Sequence, residues 1–358
     1  MTRREFNLAV ACCRYSFAAE RAENIRRLAE TVDWERLIAL SRRHRVEGLL
    51  ARGLFGAQAP VPAEFSDPIT ANAVSLAERN LRLASSAGAL TDEFMRASID
   101  VLFVKGLPLS ALVYADPFIK MSSDIDIVID PSDVVRCAGL LHDLGYRPFV
   151  PRDASADELR RWHVRNKESA WRNSEREVIL ELHTRLADNP ALIPAIGMSS
   201  PRQRVEIGAD RIVETLTDED LFAYLCVHGA SSAWFRLKWI VDLAALAFRV
   251  GEANVEALYQ TAVARGAGRA PAQALLLADR LSLFRLPGEL RARLKRDPLN
   301  SLLETIAVRQ LLQFREPTER PLGTATIHLS QALLLQGWGF AITEVNRQVQ
   351  GFARRRTA

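Results

Sequence analysis

Residues 122–129 read SSDIDIVI, and this stretch decides the fold. If it forms a strand, its side chains alternate between the two faces of a sheet. The three isoleucines then share an apolar face, and Asp124 and Asp126 share the other. Two carboxylates so placed are able to bridge a pair of divalent cations. The alternative is an edge strand with one face in water, and the rest of the chain has to decide between the two.

The size and charge of the chain limit the function classes. With 358 residues, the chain is too long for one ordinary core, which predicts two to three domains. The composition is that of a globular protein, 48% hydrophobic and 25% charged. A net charge of +4 is compatible with binding to nucleic acid but does not favour it, because solvated helix faces explain scattered basic residues.

The sequence also predicts a cellular compartment. No apolar run reaches the ~20 residues that cross a membrane. Arg14 ends the short apolar segment at 8–13, which makes a poor signal peptide. The four cysteines fit neither a zinc site nor a disulfide framework. We therefore expect a cytoplasmic protein with no membrane partner.

The pattern of hydrophobic residues changes twice along the chain. Residues 1–97 have helical periodicity, including a long helix from about Asn72 to Ala97. Residues 98–216 carry short β-branched segments that alternate with turns and short helices. Residues 217–358 are helical again. The sequence thus predicts an α+β fold, with a small mixed-sheet core between N- and C-terminal helical regions.

Short segments bounded by turn-forming residues predict the strands of this core. Gly106 ends the first segment and Pro131 follows the second. The predicted strands are 99–105, 124–130, 146–150, 167–173 and 177–184, and a further hairpin is predicted within 203–216.

Three features of the central region suggest chemistry at a phosphate. Lys105-Gly106 ends a strand at a glycine turn before a short helix, where glycine permits close backbone approach and a helix N-terminus favours an anion. Asp124 and Asp126 are the second feature. The third is Glu181, on the polar face of an otherwise apolar strand. Three acids on neighbouring strands after a glycine turn are hard to explain as solvent-facing side chains.

The order of these motifs resembles a known family. The segments that carry it are VKGLPLSALVYADP (104–117), SDID (123–126), ELH (181–183), YLCVHG (224–229) with Trp234, and RLKWIVDL (236–243). Together they resemble the bacterial uncharacterised nucleotidyltransferase family of the polymerase-β-type superfamily. The resemblance covers roughly residues 30 to 250, and the implied core fold is polymerase-β-like.

Two positions depart from the superfamily pattern. Lys105-Gly106 replaces the usual Gly-Ser turn, and 17 residues separate Gly106 from Asp124. That spacing suits the narrower family but leaves the mode of triphosphate binding open. Lys120 stands where the family has an arginine. Because lysine offers a point charge rather than a bidentate fork, we expect looser phosphate contacts there.

The resemblance implies a Mg²⁺-dependent nucleotidyltransferase. Such an enzyme moves a nucleoside monophosphate from a nucleoside triphosphate such as ATP to a hydroxyl acceptor and releases pyrophosphate. Asp124, Asp126 and Glu181 would hold two Mg²⁺ ions, with Mn²⁺ as an alternative. The acceptor is unidentified; a small molecule, a sugar or a modified peptide is favoured over nucleic acid.

The remaining roles follow from the same resemblance. Lys105, the Gly106 backbone, Lys120 and Ser123 would contact the nucleotide. His183 would orient the acceptor or act as a base, or it would fix the neighbouring Glu181.

Four residues of the C-terminal region are further candidates for binding substrate: His228, Arg236, Lys238 and Asp242. Only the resemblance places them in the cleft. A structural role explains three of them equally well. His228 is then a core histidine, and Lys238 and Asp242 form an i,i+4 ion pair on a helix.

Two other functions stay open. One is a non-catalytic or toxin–antitoxin-type regulatory module that keeps the fold, although the intact Asp124, Asp126 and Glu181 argue against a degenerate site. The other is an RNA-terminal transferase, which predicts tRNA binding that weakens steeply with salt.

Overall fold

The computed structural model describes residues 3–14, 19–208 and 210–355. The chain forms two compact units, which we call the helical unit and the sheet unit. The helical unit comprises Met1–Ser66, Ala191–Ile193 and Phe222–Ala358, and the sheet unit comprises Asp67–Pro190 and Pro194–Leu221. The division of the sequence at 97 and 216 into three regions stays a prediction.

Seven strands lie in the described part of the chain. They are β1 (Leu102–Phe103), β2 (Ile125–Val128), β3 (Arg147–Val150), β4 (Glu168–Asn173), β5 (Val178–His183), β6 (Arg202–Glu206) and β7 (Ile212–Leu216). The first five form one sheet in the order β1-β2-β5-β4-β3, and β6 pairs with β7 in a separate hairpin. Only β2 and β5 pair in parallel, so the five-stranded sheet is mixed, as expected.

Sixteen α-helices account for most of the other described residues. They are α1 (Arg3–Cys13), α2 (Ala19–Ala29), α3 (Trp34–His44), α4 (Glu47–Gly56), α5 (Ala63–Arg96), α6 (Leu107–Tyr114), α7 (Val134–Asp143), α8 (Ala156–Arg165), α9 (Asp218–Ser231), α10 (Leu237–Val250), α11 (Val255–Ala264), α12 (Ala270–Arg280), α13 (Gly288–Leu294), α14 (Pro298–Leu311), α15 (Ala325–Ala332) and α16 (Trp338–Arg355). Together with the sheet they confirm the α+β class.

Strand β2, which carries the alternating isoleucines and aspartate, lies inside the sheet. It pairs antiparallel with β1 and parallel with β5, and all four of its residues are buried. The alternative of an edge strand with one wet face is therefore wrong. The buried environment follows from strand pairing on both sides, which a single segment of sequence does not reveal.

The apolar face of β2 builds the core of the sheet unit. Ile125, Ile127 and Ile129 pack in one cluster with Leu180 and Leu182 of β5, and each is at most 4% exposed. This confirms the predicted alternation of the isoleucines. It also leaves the opposite face of β2 and β5 for polar side chains.

The first predicted strand is much shorter than expected. Of residues 99–105, only Leu102 and Phe103 form β1. The preceding residues instead close the C-terminus of α5, since Ile99 N donates to Phe94 O at 2.9 Å and Ser98 has a φ of +51°. Closing the helix satisfies carbonyls that would otherwise be unpaired.

No helix among residues 3–14, 19–208 and 210–355 is long and apolar enough to cross a membrane. All four cysteines are buried, and none is disulfide-bonded to another. The cytoplasmic location stays a prediction.

His44 is a buried, uncharged histidine of the helical unit. It is fully enclosed, and its Nδ1 accepts a hydrogen bond from Leu237 N at 3.1 Å. Its ring also contacts Phe6 edge-on. Burial and the nearby charge of Arg43 lower the pKa of His44 from 6.5 to about 3.

We expect His44→Asn to weaken the dependence of stability on pH. Between pH 6.5 and 3 the unfolded chain binds a proton at His44 that the folded chain does not, so stability falls as the pH falls. One such proton corresponds to about 1.4 kcal/mol per pH unit. Asparagine keeps an acceptor for Leu237 N but removes the titration.

Urea unfolding at pH 7.5 and pH 5.0 measures this effect. His44→Asn should lose less stability than the wild type between the two pH values. His328→Asn, which removes an exposed histidine of the helical unit, serves as the control and should follow the wild type. An unchanged pH dependence in His44→Asn would contradict the assignment.

Candidate functional site

Strands β2 and β5 place two acids side by side. In their parallel register Asp126 pairs with Glu181, and Val128 pairs with His183. Asp126, Glu181 and His183 lie on the face opposite the isoleucine core. Within the described residues these three offer ligand atoms that all lie within 4.8 Å of one another.

Asp126 is enclosed and contacts two cationic or protonatable groups. Its Oδ1 lies 2.7 Å from Lys105 Nζ and 3.2 Å from His183 Nε2. The Asp126 side chain is 1% exposed, whereas those of Lys105 and Glu181 are 18% and 25% exposed. In the described part of the chain, no group donates a hydrogen bond to Asp126 Oδ2. This buried oxygen therefore lacks the partner that such atoms usually have.

The surrounding charges keep Asp126 ionised. Burial raises its pKa, but the Lys105 ammonium and the hydrogen bond from His183 outweigh this and lower the pKa below its ordinary value. The pKa of His183 is raised above its ordinary value of 6.5. Burial lowers this pKa, but contacts with Asp126, Glu181 and Glu168 outweigh the effect of burial. The carboxylate of Asp126 and the protonated imidazole of His183 thus stabilise each other's charged form.

Glu168 is a member of this cluster that the sequence motifs did not identify. Its Oε2 lies 3.3 Å from His183 Nδ1 and 3.0 Å from Lys167 Nζ. The two predicted strands 167–173 and 177–184 contained the signal, because pairing Asn173 with Val178 across the turn puts Glu168 opposite His183. Both imidazole nitrogens of His183 therefore face carboxylates.

The predicted glycine turn is present at the start of α6. Gly106 has a φ of +68°, which an L-amino acid rarely adopts, and it precedes the first residue of the helix. A Cβ at Gly106 would lie 3.5 Å from Ser122 Oγ. Ser122 is buried, and within the described residues its hydroxyl makes no hydrogen bond. The turn and the serine segment before β2 are thus close neighbours.

Asp124 and Ser123 lie just before β2 rather than within it. Ser123 Oγ donates a hydrogen bond to Asp124 Oδ2 at 3.0 Å. Asp124 is half-buried and is not one of the three residues whose ligand atoms cluster within 4.8 Å. Its negative charge nevertheless acts on the carboxyl of Asp126, whose pKa it raises.

Asn80 of α5 holds the segment that leads to these residues. Its Nδ2 donates to the carbonyl oxygens of Phe118 and Lys120, each at 2.7 Å, and its Oδ1 accepts from Ser122 N at 3.4 Å. Lys120 is 4% exposed. A contact between its ammonium and a phosphate stays a prediction.

The four C-terminal candidates lie in the helical unit. His228 packs against the rings of Tyr224 and Trp239, and Arg236 Nη2 lies 3.1 Å from Glu316 Oε1. Two further candidates lie on α10: Lys238 is half-buried and Asp242 is 2% exposed. Their roles in substrate binding stay predictions.

Comparison with known proteins adds one match. A family model described as "Uncharacterised nucleotidyltransferase" matches residues 30–282, which is more than half of the chain. The chain belongs to this family. No curated protein matches it. The family inferred from the sequence motifs is confirmed, and its bacterial source stays a prediction.

The matched span contains every candidate residue identified from the sequence. It includes β1 to β7 of the sheet unit and α9 and α10 of the C-terminal region. Family membership supports a general role in nucleotide transfer.

Proposed function

We propose that this protein is a Mg²⁺-dependent nucleotidyltransferase that moves a nucleoside monophosphate from a triphosphate to a hydroxyl acceptor. The observation that carries the proposal is the pairing of Asp126 with Glu181 on the two parallel strands of the sheet. Membership of a nucleotidyltransferase family supports a role for this acidic pair in nucleotide transfer.

The donor set suits a divalent cation. Asp126 and Glu181 offer carboxylate oxygens, which are the ligands that Mg²⁺ prefers, and Mn²⁺ accepts the same set. The buried Asp126 Oδ2, without a hydrogen bond from the described residues, is the kind of atom that a cation would satisfy. When bound, Mg²⁺ would lower the pKa of an acceptor hydroxyl and offset the charge of the phosphates. Asp124, just before β2, is proposed as a further ligand.

The reaction forms one bond and breaks another. The acceptor hydroxyl gives up its proton to water, and its oxygen attacks the α-phosphorus to form a new P–O bond. The bond from that phosphorus to the bridging α–β oxygen breaks, and pyrophosphate leaves with the electron pair. Backbone N–H groups at the start of α6, after Gly106, are suited to bind the phosphates. Ser122 and Ser123 beside this turn are proposed as additional donors.

His183 fits an orienting role better than that of a base. Its side chain is 1% exposed, and its nitrogens face Asp126 and Glu181 on one side and Glu168 on the other. A base must reach the acceptor proton directly or through one water. We therefore propose that His183 fixes the rotamers of the two acids.

Glu181→Gln tests the proposal with less risk to folding than a change at the enclosed Asp126. We expect wild-type protein to bind a Mg²⁺–nucleoside triphosphate in calorimetry and to transfer its labelled monophosphate to an acceptor. Glu181→Gln should reduce transfer by about a hundredfold or more, since it removes one of the two paired charges. Glu175→Gln, an exposed glutamate in the turn before β5, is the matched control and should retain activity.

The same experiments separate the other functions. Absence of binding to every Mg²⁺–nucleoside triphosphate would contradict the proposal and favour a regulatory module. Labelling of tRNA with steep loss of binding in salt would identify nucleic acid as the acceptor. Equal activity of Glu181→Gln and wild type would show that the acidic pair is not the metal centre.

A further inference from the structure

The position of Lys105 has a consequence for metal binding. Its Nζ lies 2.7 Å from Asp126 Oδ1 and 3.6 Å from Glu181 Oε2, the two carboxylates proposed to hold the metal. The ammonium therefore neutralises part of the charge of this pair. Without such a partner, two neighbouring carboxylates repel each other and one tends to bind a proton.

A metal ion and the ammonium would compete for the same two carboxylates. Two cations held by the same pair of carboxylates repel each other strongly, because a site this enclosed screens charge poorly. Asp126 is also covered: its side chain is 1% exposed, and Lys105 is one of the groups that contact it. An ion reaching Asp126 Oδ1 would have to displace the ammonium.

The side chain of Lys105 is suited to such movement. It is 18% exposed, and four methylene groups connect its charge to the backbone. Its backbone immediately precedes Gly106 and the N-terminus of α6, where the phosphates are proposed to bind. An ammonium released from the acids is thus tethered close to a second group of negative charges.

We propose that Lys105 is an exchangeable counter-cation: it occupies the Asp126–Glu181 pair until a divalent ion displaces it, and it then moves to the nucleotide phosphates. This inference rests on the proposed metal-dependent transfer. It predicts that metal and nucleotide assist each other's binding, since the metal releases the ammonium and the phosphates then bind it.

Lys105→Met in the full chain tests the competition directly. Methionine has a similar length and no charge, so a divalent ion no longer competes with an ammonium. We expect calorimetry with MnCl₂, in the absence of nucleotide, to give a Kd lower than that of wild type by about tenfold or more. The variant should also unfold at a lower temperature without metal, because its two acids lose their counter-charge. Added Mn²⁺ should raise that temperature more than it does in wild type.

Two further variants control for loss of packing. Lys167→Met removes a lysine of similar exposure, 17%, whose Nζ lies 3.0 Å from Glu168 Oε2. It should change the Kd for Mn²⁺ by less than about twofold, since its charge lies outside the pair. Lys105→Arg retains the charge and should not show the tighter Mn²⁺ binding.

The outcomes distinguish this inference from the proposed function. If Asp126→Asn weakens Mn²⁺ binding but Lys105→Met binds it no more tightly than wild type, the exchange is wrong and the metal centre stands. If neither wild type nor Lys105→Met binds Mn²⁺, both the exchange and the metal centre are wrong. If Lys167→Met also binds Mn²⁺ more tightly than wild type, the tighter binding of Lys105→Met reflects only the loss of a nearby positive charge. That result would overturn the exchange.

Discussion

Asp126→Asn is expected to abolish nucleotidyl transfer. The substitution keeps the size of the side chain but removes the charge of the most enclosed acid of the pair, 1% exposed between Lys105 and His183. Loss of metal-based charge stabilisation is worth several kcal/mol, which corresponds to a decrease in rate of about a thousandfold or more. Transfer of labelled nucleoside monophosphate at saturating Mg²⁺ measures it.

Folding has to be checked alongside activity, because Asp126→Asn removes the buried negative charge that Lys105 and His183 both contact. Far-UV circular dichroism at the assay temperature establishes that the variant is folded. Mn²⁺ should raise the unfolding temperature of wild type but not that of Asp126→Asn. Asp143→Asn, at the exposed end of α7, is the matched control and should behave as wild type. A folded Asp126→Asn with full activity would remove the basis of the proposed mechanism.

Asn80→Asp is expected to destabilise the sheet unit strongly, although the two side chains have nearly the same shape. Asn80 Nδ2 donates to two carbonyl oxygens, of Phe118 and Lys120, each at 2.7 Å. A carboxylate at this position would face the two carbonyl oxygens without a hydrogen-bond donor, because an ionised aspartate only accepts hydrogen bonds. Breaking such a buried network costs about 3 kcal/mol or more. Guanidinium unfolding at pH 7.5 measures the loss.

The loss of stability in Asn80→Asp should be smaller at low pH than at pH 7.5. Protonation of the introduced carboxyl restores one donor, so the deficit relative to wild type should shrink as the pH falls. Ser75→Asp adds the same charge on the exposed side of α5 and should be nearly neutral. Because the 118–122 segment leads to Asp124, Asn80→Asp should also lower transfer activity. Equal stability of Asn80→Asp and wild type would show that these hydrogen bonds do not hold the segment.

Much of the fold was predictable because local patterns and tertiary contacts agree in the sheet unit. The alternation of isoleucine and aspartate predicted β2, and the segments on either side of the turn at 173–176 predicted β4 and β5 to within one residue. Pro131 follows β2 in the sequence. The long helix α5 began about nine residues earlier than expected, at Ala63, since Pro68 lies inside it without ending it.

Part of the candidate site was not predictable from single segments. The sequence treated Asp124 and Asp126 as equivalent, but strand β2 begins at Ile125, so only Asp126 lies within the ladder. It assigned Lys105 to phosphates, whereas the structure pairs the ammonium with Asp126 and Glu181. It did not identify Asn80, whose partners lie some 40 residues away in the chain.

By itself, the sequence determined the residue types of the candidate site, which are a Lys-Gly turn and acids on strands. It also determined the family to which these motifs belong. Side-chain alternation and turn preferences are local properties, so they can be read from neighbouring residues. Only the tertiary structure decided that β2 and β5 are parallel neighbours with Asp126 opposite Glu181, and that Lys105 and His183 share one oxygen of Asp126. Strand order and the burial it imposes arise from contacts between distant segments, and these contacts set the charges and the access of the site.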